Sequence, residues 1–138
     1  MKFSTFNNSM ILDTNVIVSA HLSRNPDAAT RRVYDLTYRQ HWLVYSKDIL
    51  REYTRVLSYP KFKFSPDLIR KVLAHINQVG VAVVPSPSEV RLADATDQPF
   101  YDLVTTKSAG MPVLVTGNLR HFPRERFIVS PRGYLGGM

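Results

Sequence analysis

The chain has 138 residues, of which 44% are hydrophobic and 21% are charged, and it contains no cysteine. These values are typical of one globular domain with its own core, and they exclude disulfides, thiolate metal sites and cysteine nucleophiles. Eighteen Lys and Arg residues oppose eleven Asp and Glu residues, and the resulting net charge of +7 favours a polyanionic partner, although a basic surface can also serve solubility alone.

The first nine residues are mostly polar and contain no apolar run of signal-peptide length. We therefore expect a flexible N-terminal tail over residues 1–9 and a single domain over residues 10–138. No segment approaches the roughly 18 consecutive apolar residues that cross a bilayer. Together with the absence of cysteine, this favours a cytoplasmic protein without a membrane partner.

Strands and helices are predicted to alternate along the chain. In chain order they are a strand at Met10–Leu12, a helix beginning at Val16, a helix over Pro26–Gln40, a strand at Trp42–Tyr45, a helix from Ser46 to about Pro60, a helix over Asp67–Gln78, a strand at Val81–Val84, a helix from Asp97 to about Ala109, and strands at Met111–Thr116 and Phe127–Val129. Ser46 and Ser65 are predicted N-caps, and Pro26 is expected in the first turn of its helix. Gly80 is expected to end a helix, and the Gly- and Pro-rich tail from Ser130 is expected to fray.

The predicted strands are continuous apolar runs, without the alternation of a sheet that has one wet face. Such runs, separated by helices, are typical of a parallel sheet that is covered on both sides. No internal repeat or long linker divides the chain. The sequence therefore predicts one α/β domain with a parallel sheet of about five strands flanked by helices.

Two polar groups follow predicted strands at their carboxyl ends, where open α/β sheets bind ligands. Asp13 comes directly after the first strand, and Asn118 follows the fourth in the turn Thr116–Asn118. Each has a simpler alternative role. Asp13 can cap the helix that follows it, and Asn is a common turn residue.

Two further acids begin or border helices. Glu52 lies three residues past Ile49, so it borders the apolar face of its helix, although a rim residue paired with Arg51 or Arg55 would have the same position. Asp97 begins the helix before the fourth strand, where a helix cap is the simpler interpretation. None of these residues by itself is specific evidence for a metal site.

Their joint placement predicts a metal site. Asp13 and the Thr116–Asn118 turn would meet at one edge of a doubly wound sheet, with two helix starts nearby. Carboxylates gathered there repel one another unless a cation neutralises them. Oxygen ligands of this kind suit Mg²⁺ or Mn²⁺, and such an ion activates water and stabilises charge on a phosphodiester.

The sequence resembles PIN domains, and among them the VapC-like toxin components of toxin–antitoxin systems that carry Thr-Gly-Asn. The resemblance extends from Met10 to about Pro131. It rests on blocks in the same order as in that family, namely Ile11–Val16, Ser46–Tyr53, Val56–Phe62, Asp97–Phe100 and Val113–Pro123.

The resemblance implies a PIN-like three-layer α/β fold and a ribonuclease that hydrolyses RNA phosphodiester bonds with Mg²⁺ or Mn²⁺. It implies three catalytic, metal-binding acids, which are Asp13, Glu52 and Asp97. It implies supporting polar residues, which are Thr14, Asn15 and Thr116. It also implies control by a cognate antitoxin protein and homodimer formation.

Two positions depart from the broader family pattern. Asn118 stands where many PIN domains carry a fourth acid, and as a metal ligand it would hold the ion more weakly or leave only one ion bound. Thr96 stands before Asp97 where related chains often have an acid. Asp94 or Asp102 would supply extra charge, but Asp102 lies about 140° around the helix from Asp97 and is expected outside the metal's ligands.

The four histidines show no pair with metal-site spacing, and we expect them to be structural or exposed; they are His21, His41, His75 and His121. Arg120 and His121 lie just past the Thr116–Asn118 turn, where they can contact a phosphate. Other basic residues that can border the site and contact RNA are Lys47, Arg51, Arg124 and Arg126. Lys61 and Lys63 alternate with two phenylalanines, an arrangement that can clamp a nucleic-acid strand or simply anchor a loop to the core.

Two rival functions remain at this point. A PIN-like module that has lost catalysis would bind RNA or protein only, although the three retained acids argue against it. A receiver-type phosphoacceptor domain would need paired acids after the first strand and a lysine after the last strand, and the sequence has neither.

Overall fold

The computed structural model describes residues 9–40 and 43–136, apart from the side chain of Gln40. Of the predicted N-terminal tail, only Ser9 falls within this range. His41 and Trp42, which were assigned from sequence to a structural role and to the second strand, also lie outside the described residues.

The described residues contain five short strands and six helices. In chain order they are β1 (Met10–Leu12), α1 (Thr14–Leu22), α2 (Ala29–Gln40), β2 (Val44–Tyr45), α3 (Lys47–Leu57), α4 (Pro66–Val79), β3 (Val81–Ala82), α5 (Gln98–Val104), β4 (Val113–Val115), β5 (Ile128–Val129) and α6 (Pro131–Gly136). Short 3₁₀ turns occur at Pro60–Phe62, Lys107–Ala109 and Leu119–His121.

All strand pairs are parallel. Hydrogen bonds join β1, β4 and β5 in that order and β2 to β3, and an isolated parallel bridge between Met10 and Leu43 brings β2 beside β1. The strands therefore follow one another in the order 3-2-1-4-5, and the order reverses between β1 and β4. Ligand sites of doubly wound sheets lie at this reversal. The predicted α/β fold with a parallel sheet flanked by helices is confirmed.

The core forms around the central strand. Ile11 and Leu12 of β1 are fully buried, as a strand covered on both faces requires. The phenol of Tyr53 on α3 donates a hydrogen bond of 2.5 Å to the Leu12 carbonyl, and its ring lies 6.2 Å from that of Phe100 on α5. These contacts fix α3 and α5 against the carboxyl end of β1.

The two predicted serine caps are confirmed. The hydroxyl of Ser46 accepts a hydrogen bond of 3.2 Å from the Ile49 amide at the start of α3. The hydroxyl of Ser65 accepts one of 3.1 Å from the Leu68 amide at the start of α4. Each satisfies one of the amides that a helix start leaves without a partner.

Gly80 ends α4 as predicted, but for a different reason from the one that usually places glycine there. Its φ is −85°, outside the left-handed region. A Cβ at this position would lie 2.6 Å from the Ile76 carbonyl oxygen and 2.7 Å from the Tyr45 ring. The glycine is therefore needed for the close approach of the chain to β2.

Two predicted helix boundaries were wrong. Pro26 lies in a turn, and α2 begins only at Ala29, because the Asn25 side chain accepts a hydrogen bond from the Asp27 amide and forms a local turn. The helix after Asp97 ends at Val104 rather than near Ala109. Hydroxyl groups of the threonines that follow donate to carbonyls one turn back, which competes with continuation of the helix.

The two ends of the sheet also differ from expectation. Val81 is 54% exposed and Val84 is 87% exposed, so β3 is a short edge strand rather than a buried one. The tail after Ser130 was expected to fray, but Pro131–Gly136 is the helix α6. Ser130 accepts a hydrogen bond of 2.9 Å from the Gly133 amide, and Pro131 occupies the first helical position, where proline is favoured.

Among the helices of the described residues, none has the length and apolar character needed to span a membrane.

Candidate functional site

A cavity of about 360 Å³ opens beside the carboxyl ends of β1 and β4. Its polar lining includes Asp13, Thr14, Asn15, Glu52, Asp94, Thr96, Asp97, Asn118 and His121. The three acids predicted from sequence thus reach one cavity from three separate parts of the chain. It lies at the reversal of strand order, where the sheet topology places a ligand site.

Asp13 is held by hydrogen bonds from both neighbouring turns. It is 5% exposed, and its Oδ2 accepts 2.7 Å from the Thr116 hydroxyl and 3.3 Å from the Asn15 side-chain amide. Its own amide donates 2.9 Å to the Val115 carbonyl. Although Asp13 occupies the N-cap position of α1, its side chain makes no capping hydrogen bond. Its carboxylate is therefore committed to the cavity.

The turns that follow β1 and β4 are joined by two polar side chains. The Asn15 carbonyl oxygen accepts 3.0 Å from the Gly117 amide, and the Thr116 hydroxyl accepts 2.9 Å from the Asn118 amide. A Cβ at Gly117 would lie only 3.2 Å from that Asn15 oxygen. The small residue lets the two turns meet, so Asn15 and Thr116 fix the position of Asp13 and of Asn118.

Glu52 lines the cavity and also forms an ion pair, so one of the alternatives left open by the sequence is observed. Its side chain is 16% exposed and binds the Arg55 guanidinium with both carboxylate oxygens, at 2.6 and 3.2 Å. Arg51 instead pairs with Asp48 at 3.0 Å. Arg55 also lies over the Tyr59 ring, 5.4 Å from its centroid. Glu52 therefore reaches the cavity in a fixed orientation.

Asp97 does not act as a simple helix cap. It stands at the N-cap position of α5, but its side chain makes no capping hydrogen bond. Its Oδ2 lies 3.0 Å from Nδ1 of His121, which belongs to the 3₁₀ turn after β4. Asp97 is 7% exposed, whereas the His121 side chain is 45% exposed. The pair forms the border between the buried and the open part of the cavity.

Two residues of the cavity were given only minor roles from the sequence. One ligand atom each of Asp94, Asp97 and His121 lies within 4.8 Å of the others. His121 was expected to be structural, exposed or a phosphate contact, and Asp94 a source of extra charge. The available signal was position, because His121 follows the carboxyl end of a predicted strand just as Asp13 does. Asp102 does not line the cavity, and accepts hydrogen bonds from the Ser88 amide and the Gln98 side chain.

Two carboxylates in the cavity, those of Asp13 and Asp97, are disfavoured as anions. The pKa of Asp13 is raised to about 6, chiefly by burial and also by the charge of Asp97, against the opposing effect of the hydrogen bond from Thr116. Burial also raises the pKa of Asp97, with added repulsion from Asp94 and Glu52 and an opposing effect of His121. A cation among these groups would relieve the repulsion.

A second observation concerns the hydroxyl group of Thr14, which belongs to the lining of the same cavity. The Thr14 hydroxyl is buried and has no hydrogen-bond partner within residues 9–40 and 43–136. Carboxylate, amide and hydroxyl oxygens make up most of the donor set, which is the set that Mg²⁺ and Mn²⁺ prefer. The residues present therefore fit a divalent ion.

The candidate RNA-contact residues fall in two places. Arg120 adjoins His121 and lines grooves that continue from the acidic cavity, whereas Lys47 and Arg51 lie on α3 beside a separate depression. Phe62 and Phe64 pack against the core with their rings 5.7 Å apart. These phenylalanines therefore anchor their loop, as the alternative to a strand clamp proposed.

The two described histidines outside the cavity have structural contacts. The His21 ring nitrogen Nδ1 lies 2.8 Å from the Ile17 carbonyl oxygen, and burial lowers the pKa of this histidine. His75 stacks on Tyr38 at 3.6 Å and lies 2.8 Å from the Thr37 hydroxyl.

Comparison with known proteins supports the fold. The family model described as PIN domain matches residues 9–120, which include Asp13, Glu52 and Asp97. No curated protein matches the sequence. PIN domains are generally nucleases that act on nucleic acid and typically use divalent metal ions, and the cavity has the acids for such an ion. Because the match spans most of the chain and coincides with a parallel α/β sheet, this protein belongs to the PIN domain family.

Proposed function

We propose that the protein is a divalent-metal-dependent endoribonuclease with Asp13, Glu52 and Asp97 as its catalytic, metal-binding acids. The observation that carries this proposal is that these acids, from three distant segments, line one cavity. The raised pKa of Asp13, about 6, reflects a site built for a positive ion that would offset its charge.

The residues fall into two groups, those that would bind the metal ion and those that orient the metal-binding side chains. Asp13, Glu52 and Asp97 would bind Mg²⁺ or Mn²⁺, with Asn118 as a neutral ligand where many relatives carry an acid. When bound, a divalent ion activates water and offsets the negative charge that develops on a phosphodiester. Thr116 and Asn15 orient the Asp13 carboxylate by their hydrogen bonds.

The remaining polar groups organise the proton and the substrate. Nδ1 of His121 lies 3.0 Å from Oδ2 of Asp97, so an imidazole stands next to a proposed metal ligand, where it could accept a proton released in hydrolysis. Arg120 lines a groove together with Asp94 and His121, so it would contact a phosphate bound next to the cavity. The net charge of +7 would attract RNA from solution.

We extend the proposal to regulation on the strength of the resemblance to VapC-like toxins. A cognate antitoxin would keep the nuclease inactive by covering the cavity, which is open to solvent at Asp94, Asn118 and His121. The same resemblance predicts a cytoplasmic homodimer. Expression of the chain alone should arrest growth, and Asp13→Asn should abolish the arrest; equal toxicity of the two forms would refute the toxin role.

The decisive experiment is cleavage of total RNA by purified protein with Mn²⁺, with Mg²⁺ and with EDTA. Fragmentation should require the ion and should be lost in Asp13→Asn. The matched control is Asp67→Asn, because Asp67 is an exposed acid on α4 that pairs with Arg70 outside the cavity. Fragmentation that survives EDTA, or that Asp13→Asn retains, would reject the proposal.

A binding module without catalysis is the second candidate. Two observations favour it, because Asn118 lacks a charge and Arg55 already binds both oxygens of Glu52. This alternative predicts an RNA complex in a gel-shift assay but no fragments with either ion. Asn118→Asp would then be expected to create cleavage by restoring an acid at the fourth position.

A further inference from the structure

We propose that His121 is a cation ligand, and that together with Asp94 and Asp97 it forms a mixed imidazole–carboxylate site that binds first-row transition ions more tightly than Mg²⁺. The inference rests on the proposed function in that it concerns the cation of the same cavity. It adds a nitrogen ligand that the three predicted acids do not supply.

The distances suit a shared ion. One ligand atom from each of the three residues lies within 4.8 Å of the others, and Nδ1 of His121 is 3.0 Å from Oδ2 of Asp97. Neighbouring ligands of an octahedral ion with bonds of about 2.1 Å lie about 3.0 Å apart. The spacing of these two atoms therefore suits two neighbouring ligands of one ion.

The hydrogen bonds of Asp94 leave one of its carboxylate oxygens available to the same ion. Its Oδ1 accepts 2.9 Å from the Thr96 amide and 2.7 Å from the Thr96 hydroxyl. Its Oδ2 receives no hydrogen bond from the described part of the chain. Asp94 is exposed and Asp97 is buried. An ion bound between them would therefore be accessible to solvent on the Asp94 side and enclosed by protein on the Asp97 side.

A separate observation concerns the hydroxyl group of Thr14, a residue that lines this cavity. Thr14 is 5% exposed, and its hydroxyl has no hydrogen-bond partner among the described residues. A buried hydroxyl without a partner is costly unless a bound water or ion completes it. Thr14 lines the same cavity as Asp94, Asp97 and His121.

The chemistry of the ligands sets the preference. Mg²⁺ favours oxygen ligands only, whereas imidazole suits the later first-row ions, whose affinity rises from Mn²⁺ towards Co²⁺ and Ni²⁺. At Asn118 the chain offers a neutral oxygen rather than a carboxylate, and His121 offers nitrogen three residues later. This ligand set should therefore bind a transition ion more tightly than Mg²⁺.

The test is calorimetric titration of the chelator-treated full chain with MgCl₂, MnCl₂ and CoCl₂ in the absence of RNA. The wild type should bind Co²⁺ most tightly, Mn²⁺ less tightly and Mg²⁺ least tightly. His121→Gln should lower Co²⁺ affinity about tenfold or more while Mg²⁺ affinity changes by less than about threefold. The control is His75→Gln, the same substitution at a histidine outside the cavity, and it should leave all three affinities unchanged.

A second measurement needs no variant. Substoichiometric Mn²⁺ added to the wild type should broaden the NMR signals of the His121 ring before those of His75 and His21. Equal broadening of the three rings, or an unchanged ratio of Co²⁺ to Mg²⁺ affinity in folded His121→Gln, would overturn the proposal. If RNA is not cleaved but His121 still determines the ion preference, the proposed function fails and this inference stands. If RNA is cleaved but His121→Gln leaves the ion preference unchanged, the proposed function stands and this inference fails.

Discussion

The carboxyl group of Asp13 is where burial and charge conflict most directly. Its pKa is about 6 in the folded chain and 3.8 in an unperturbed carboxyl group, chiefly because burial disfavours the ion. Between these values the folded chain holds a proton that the unfolded chain has released, so stability falls as pH rises through this range. Above pH 6 the ionised group lowers stability by its full amount.

Asp13→Asn should therefore stabilise the metal-free protein at pH 8. Two pKa units correspond to about 3 kcal/mol, which is the upper size of the gain in unfolding free energy. At pH 3, where both states are protonated, the gain should vanish. Urea unfolding in EDTA at the two pH values measures it, and a variant that is less stable than wild type at pH 8 would contradict the electrostatic account. Added Mn²⁺ should reverse the order by stabilising only the wild type.

Thr116→Val tests whether Asp13 needs its orienting hydrogen bond. The substitution keeps the shape of a fully buried side chain but removes the donor to Asp13 and the acceptor for the Asn118 amide. Metal affinity and RNA cleavage should fall about 10- to 100-fold. Thr54→Val is the control, because its hydroxyl donates only to the Leu50 carbonyl on the exposed side of α3. Calorimetry with Mn²⁺ and an RNA cleavage assay should show no loss in that control.

Sequence position was sufficient to place the acids but not their partners. Asp13 and Asn118 could be predicted at one edge of the sheet because both follow strands at their carboxyl ends. The pairing of His121 with Asp97 joins residues 24 positions apart and depends on how the 3₁₀ turn after β4 is directed. The hydrophobic periodicity of the sequence gives no information about the direction of this turn. For the same reason the choice of Glu52 between Arg51 and Arg55 stayed open.

At the scale of elements, apolar pattern identified the strands but not their places in the sheet. Val81–Val84 is as apolar as Met10–Leu12, yet all but Val83 of the first segment is exposed and the second segment is buried. The difference arises because β3 pairs with β2 alone within the described residues, while β1 has neighbours on both sides. Composition cannot distinguish an edge from a centre. The helix α6 was missed since its Gly content outweighed the Ser130-Pro131 start signal.

Helix caps make an element-scale prediction that depends on burial. Ser46 is 1% exposed, whereas Ser65 is exposed, and both accept a hydrogen bond from a helix amide. Ser65→Ala should cost about 1 kcal/mol, because water can replace the lost acceptor. Ser46→Ala should cost about 2 kcal/mol, since the buried Ile49 amide is left without a partner. Equal losses in chemical denaturation would show that burial of the cap has no role.

For the whole molecule, strand order decides where function lies. Alternation of strands and helices predicted a parallel sheet, but the order 3-2-1-4-5 depends on which edge each new strand joins, and local sequence does not encode that choice. At the reversal between β1 and β4, the turns that follow the two strands meet and border the cavity. The acids predicted from chain position are functional candidates because of this topology.

The net charge of +7 leads to a prediction about RNA binding that involves the entire surface. Each phosphate neutralised by a Lys or Arg releases counterions, so affinity should fall steeply with salt. Arg120→Gln should reduce the slope of log affinity against log salt by about 0.7, the value for one contact on single-stranded RNA. Arg70→Gln is the control, because Arg70 is exposed on α4 and pairs with Asp67 outside the cavity. Binding to a labelled single-stranded RNA in EDTA, from 50 to 200 mM KCl, measures the slopes without cleavage. A flat response in the wild type would exclude the basic surface from RNA recognition, and equal slopes in the two variants would exclude Arg120 as the residue that leads RNA to the acids.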